Sequence, residues 1–145
     1  MKHFEDFELG EKIMTRARTV TEADIVNFAA ITGDWHPLHT DAEYAKKTQY
    51  GERIAHGMLI LSLASGLFSP EHILNWAFIA FYGMDKVRFV APTKIGDTIH
   101  VELEVIDKED KGRGGVVTFT ERVKNQRGED VAVCMMKVMI AKRLE

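Results

Sequence analysis

The chain is expected to fold as an α+β domain in which an antiparallel sheet curves around one apolar helix. Three observations predict this. Patterning changes once, near residue 75, from helical spacing to strand alternation. The segment HGMLILSLASGLF carries apolar residues around nearly its whole helical circumference, so it must be buried. Long strand-like runs follow it, separated by glycine-bearing turns, and they read as antiparallel neighbours.

Taken in order, residues 11–20, EKIMTRARTV, alternate as a strand does. Thr21 then opens TEAD, a capping box with Asp24 in the place usually held by Glu or Gln. Ile25, Phe28, Ala29 and Thr32 share one face of the helix that follows, and Gly33 suits a left-handed stop. Pro37 drives His36 towards an extended backbone, and Asp41 can cap a short helix through DAEYAKKT. The stretch GDWHPLHTD is thus predicted to be a stiff loop between two helices. After the apolar helix come WAFIAFYGMDKVRFVAP, DTIHVELEVIDKED, GGVVTFTERVKNQ and EDVAVCMMKVMIAKRL, with turns at PTKIGD, KGRGG and QRGE. Trp76, Phe78, Phe81 and Tyr82 are expected to shape the sheet or a subunit seam.

The 145 residues suit one domain, 1–145, with 46% hydrophobic and 28% charged residues, the profile of a globular chain. A net charge of −3 argues against a nucleic-acid footprint. The most apolar run is too short to span a bilayer, and MKHFEDFELG lacks the apolar core of a signal peptide, so a cytoplasmic protein is expected. The lone cysteine, Cys134, sits in an apolar strand-like run and reads as a buried, inert thiol.

GDWHPLHTD concentrates protonatable groups. A carboxylate (Asp34) and an imidazole (His39) converging on one water can divide the removal and delivery of a proton. Polar loops also use such residues as caps and turn formers, so Asp34 can serve its own backbone instead. Where IAHG enters the apolar helix, His56 and Gly57 stand beside unpaired amides at the positive end of a helix dipole, suited to a developing oxyanion. Gly57 also answers to crowding alone.

Together ITGDWHPLHTD, GERIAHGMLILSLASGL and VRFVAPTKIGDTIHVELEV closely resemble the MaoC-like, (R)-specific enoyl-CoA hydratase family of hot-dog-fold proteins. The motifs are D-x-x-P-x-H, H-G-M and P-x-x-x-G-D, in that order, from about residue 8 onwards. The resemblance implies a hot-dog fold, usually dimeric, and reversible syn hydration of a trans-2-enoyl-CoA with no metal or redox cofactor. It implies that Asp34 and His39 hold the catalytic water, Asp34 taking its proton and His39 helping to deliver one. Gly57 would donate its amide to the thioester oxygen beside His56, and Ser65 would line the pocket, with Ser62 as its rival. Acyl-CoA is the implied partner and a homodimer the implied assembly. His36 stands where the family usually has asparagine, so it either packs beside Trp35 with one hydrogen bond or modulates the water site.

Other functions stay open on sequence alone. A hot-dog acyl-CoA thioesterase would direct water to the carbonyl carbon. A non-catalytic acyl-CoA-binding module would keep the pocket without the chemistry. A metal site built from Asp34, His36, His39 and Asp41 would need all four side chains to turn one way around Pro37.

Overall fold

The computed structural model describes residues 1–69 and 72–144. Helix α1, Glu22–Thr32, starts at Thr21, whose hydroxyl accepts the Asp24 amide while the Asp24 carboxylate accepts the Thr21 amide. Such a cap is worth about 1 kcal/mol. Gly33 ends the helix at φ 78°. A side chain there would be strained, which is why glycine stops the helix cleanly. Helix α2 is the single turn Pro37–Thr40, and α3, Ala42–Lys46, is capped by Asp41 through the Tyr44 amide. The motif expected to be a loop therefore contains a helical turn. Pro37 sits at its first position, where a missing N–H costs nothing.

Helix α4, Gly57–Phe68, lies against a sheet of β1 (Lys12–Met14), β2 (Arg18–Thr19), β3 (Phe78–Phe89), β4 (Thr98–Asp110), β5 (Gly114–Lys124) and β6 (Asp130–Ala141). The sheet order is β1-β4-β5-β6-β3, with β2 also paired to β4 and all pairings antiparallel. This is the α+β hot-dog arrangement expected from the sequence. Alternation on β4 buries Ile99, Val101, Leu103 and Val105 against the helix and leaves charged neighbours outside. Leu59, Ile60, Ala64, Leu67 and Phe68 of α4 complete the core from the other side. At one end Phe7, Trp76 and Phe119 pack together, with Trp76 stacked on Phe119 at 5.4 Å.

Three expectations are corrected. Residues 11–20 form two short strands rather than one, because the Thr15 hydroxyl takes the Val101 amide and the backbone steps out of register there. Strand β3 is not a neighbour of β4. It lies at the opposite edge on β6, and residues 90–97 carry the chain across, tied by the Ile54–Lys94 bridge. Helix α4 is not covered all round: Met58, Ser62, Ser65 and Gly66 form an exposed stripe facing the β3 edge. One curved sheet reaches around only part of a helix.

Candidate active site

The site forms where three segments meet at the start of α4. Gly33 ends α1 and releases Asp34, Pro37 fixes the turn that presents His39, and residues 54–56 bring His56 alongside. Asp34, His39 and His56 each offer a ligand or proton-carrying atom, and these atoms lie within 4.8 Å of one another. All three line one cavity of about 460 Å³ with Gly57, Tyr50 and Phe89. Asp34 is exposed, His39 half-buried and His56 only 2% exposed.

Backbone carbonyls decide the state of both imidazoles. His39 Nδ1 is 2.7 Å from the Ile54 carbonyl. Only an N–H can donate there, so in the neutral ring the other nitrogen, Nε2, carries the lone pair. His56 Nε2 likewise donates to the Asp34 carbonyl at 3.0 Å. The rings of His39 and His56 stack at 3.9 Å and 28°, and Phe28 lies 4.9 Å from His56 on α1. Burial pushes the His39 imidazole below the ordinary histidine range. The Ile54 hydrogen bond and the Asp34 charge oppose that shift, while His56 and His36 reinforce it. The pair Asp34 and His39 thus combines a carboxylate with a neutral imidazole, two acceptors able to hold one water and move its proton.

Gly57 is the first residue of α4, and no side chain caps that terminus. Its crowding is real: a Cβ there would meet the Phe89 ring at 2.9 Å. A side chain on Gly57 would therefore push against a wall of the cavity.

His36 stands apart from this group. Its Nδ1 accepts the Leu38 amide at 3.1 Å, capping α2, and its ring lies 6.1 Å from His39 and 6.0 Å from Tyr44. An asparagine oxygen could take the same amide, which explains how histidine occupies the place. With His36 and Asp41 both spent as caps, the loop quartet does not converge on a metal; His56, from outside the loop, is the third group beside Asp34 and His39. Ser65 and Ser62 line a second cavity further along α4, not the first. The role of His56 as a support for Asp34 went unread in the sequence, because it depends on a contact 22 residues away.

Comparisons with known proteins agree with this architecture. A family model described as MaoC like domain matches residues 6–127. Protein MaoC of Klebsiella aerogenes is 45% identical over 102 residues, covering 70% of this chain but 30% of that protein. The chain thus spans under a third of that relative's length. An (R)-specific enoyl-CoA hydratase of Aeromonas caviae is 34% identical over 125 residues, covering 86% of this chain and 88% of its own. The crystal structure of a monoamine oxidase regulatory protein from Archaeoglobus fulgidus superposes with a TM-score of 0.93 at 47% identity, covering 98% of this chain and 95% of that one. Fold, motif order and the extent of the match lead to one conclusion: this chain belongs to the MaoC-like domain family of hydratases and dehydratases.

Proposed function

We propose that the protein is an (R)-specific enoyl-CoA hydratase, adding water reversibly and syn across a trans-2-enoyl-CoA to give the (R)-3-hydroxyacyl-CoA. The observation that carries the proposal is the convergence of Asp34 and His39 in one cavity with Gly57 at the helix entrance. The Aeromonas caviae relative, named for this reaction, supports it.

In the proposed cycle Asp34 and His39 Nε2 accept the two hydrogens of one water. As an O–H bond breaks, the oxygen bonds to the β-carbon and the π electrons pass to the thioester oxygen, held by the Gly57 amide. The pair then returns the proton to the α-carbon and the carbonyl re-forms. Because its Nδ1–H is tied to Ile54, neutral His39 enters the cycle as an acceptor and can give a proton only after receiving one. The expectation from the resemblance, that His39 helps to deliver a proton, is kept in this cycle with that order of steps. His56 holds the Asp34 backbone rather than the substrate, and His36 acts through the turn it caps. The acyl chain runs along α4 past Met58 towards Ser65 and Ser62. Water adds across the double bond with no net oxidation or reduction, so the proposed step calls for no redox cofactor.

The proposal includes a homodimer in the cytoplasm. Strand β3 is a twelve-residue edge strand with Phe81 at 47% and Tyr82 at 54% exposure, beside Met58 at 60% on α4. An apolar edge of that length is a template for a second copy. Among the described residues no helix is long and apolar enough to cross a membrane.

The test is incubation with crotonyl-CoA, expected to remove the conjugated absorbance without releasing thiol and to yield the (R)-product. Free CoA appearing at the same rate would make the protein a thioesterase. A second reading is a non-catalytic acyl-CoA-binding or regulatory module; only its regulatory part draws support from the Archaeoglobus neighbour, which is named a regulatory protein. Tight acyl-CoA binding with no turnover would decide for it.

A further inference from the structure

A second cavity, of about 430 Å³, continues along α4 from the first, and Met58 lines both. Its walls are largely apolar, among them Phe78 and Phe81 of β3, but four polar side chains also line it: Ser62 and Ser65 from the helix, Ser69 at its C-terminal end and Glu121 from the sheet. From Gly57 to Ser65 the helix rises about 12 Å, so this is the distal part of any chain bound at the helix entrance.

Glu121 is the anomaly. It lies on β5 between Phe119 and Val123 on the helix-facing side, directly across from Cys134 on β6, and is only 1% exposed. Its Oε2 accepts the Cys134 thiol at 3.3 Å, and no ion pair among the described residues includes it. A carboxyl group has room for several hydrogen bonds, and a thiol is a weak donor. Burial pushes this carboxyl up to about 7. A plain alkyl chain laid over it would leave a desolvated carboxyl with only the weak Cys134 thiol as partner, whereas a hydroxyl would add a hydrogen bond in either protonation state.

Building on the hydratase proposal, we infer that Glu121 is a specificity-determining residue that hydrogen-bonds a hydroxyl on the distal part of the acyl chain. The preferred substrates are then hydroxylated 2-enoyl thioesters rather than unsubstituted alkyl ones. Ser62 and Ser65, on the opposite wall, face the same substituent.

The test uses 2-enoyl-CoA esters of increasing length, each made with a methyl or a hydroxyl terminus, and reads the ratio of their kcat/KM values within each protein. Once the chain reaches Glu121, the wild type should favour the hydroxyl terminus about tenfold, the scale of one well-made hydrogen bond, and chiefly through KM. Glu121→Leu should reverse the ratio, and Glu121→Gln, which keeps the shape and can pair with a hydroxyl, should retain it. Glu121→Met serves if the leucine variant does not fold. Calorimetric binding of the matching saturated acyl-CoA pairs reads the same preference without chemistry. A binding preference without turnover would count against the hydratase proposal alone. A wild type that favours the methyl terminus, or shows no preference at any length, overturns the assignment of Glu121.

Discussion

His39 and His56 stack with ring centroids 3.9 Å apart, and each spends one nitrogen on a backbone carbonyl, His39 on Ile54 and His56 on Asp34. The stack therefore couples the two proposed water-holding groups: one ring is His39 itself and the other anchors the backbone of Asp34. Asp34→Asn and His39→Ala should each lower turnover roughly 10²–10⁴-fold. His56→Ala should lower kcat about 10²-fold by misplacing both groups. All three are read with crotonyl-CoA alongside circular dichroism, and a well-folded variant of either water-holding residue with near wild-type turnover refutes the site.

The pH profile follows from the tautomer. Protonating His39 Nε2 removes the acceptor, so activity is present above its pKa and is lost as pH falls through it. Because burial lowers that pKa from 6.5 in the free protein, the acid limb of kcat/KM should lie below pH 6.5. Activity that rises as the solution is made more acidic through this window would contradict it.

Gly57→Ala should displace the Phe89 ring, since the new methyl would sit 2.9 Å from it. The expected result is a folded protein with KM raised and kcat reduced, because the wall of the cavity moves along with the donor amide. Unchanged kinetics would show that the helix entrance takes no part in binding.

His36→Asn should keep the cap on the Leu38 amide and leave turnover close to wild type, whereas His36→Ala should cost about 1 kcal/mol of stability. Denaturant midpoints and turnover measure the two. A marked gain of activity in the asparagine variant would show instead that the imidazole perturbs the water site.

Glu121 links stability to pH. Burial holds its folded pKa near 7, above the ordinary glutamate value of 4.5, so the native state binds more protons than the unfolded one between these values. The stability this contributes is fully present below about pH 4.5 and is lost as pH rises through 7, on the order of 3 kcal/mol in all. Denaturant titrations from pH 4 to pH 8 should show that decline in the wild type and a smaller one in Glu121→Gln; equal slopes would remove the titration from Glu121.

Local features were legible in the sequence because their physics is local. The Thr21–Asp24 box, the Gly33 stop, the extended His36 before Pro37 and the Asp41 cap each involve residues within a few positions, and each is formed. The strand alternation that buries Val117, Phe119 and Val123 also points Glu121 at the helix, a signal that was present but unread. By contrast, the β3–β6 pairing, the exposed stripe of α4, the His56 bond to Asp34 and the placing of Ser65 in a separate cavity all join residues distant in sequence.

The sequence by itself determined the fold class, the motif order that marks the family, and the residues Asp34, His39 and Gly57 as the place to look. Only the tertiary structure decided that His56 completes the group in place of His36, that His39 presents a bare Nε2, and that a carboxyl lies buried in the groove. Periodicity and capping act over one turn or one strand. Tautomer, stacking and burial depend on which carbonyl, ring or wall the rest of the chain brings alongside.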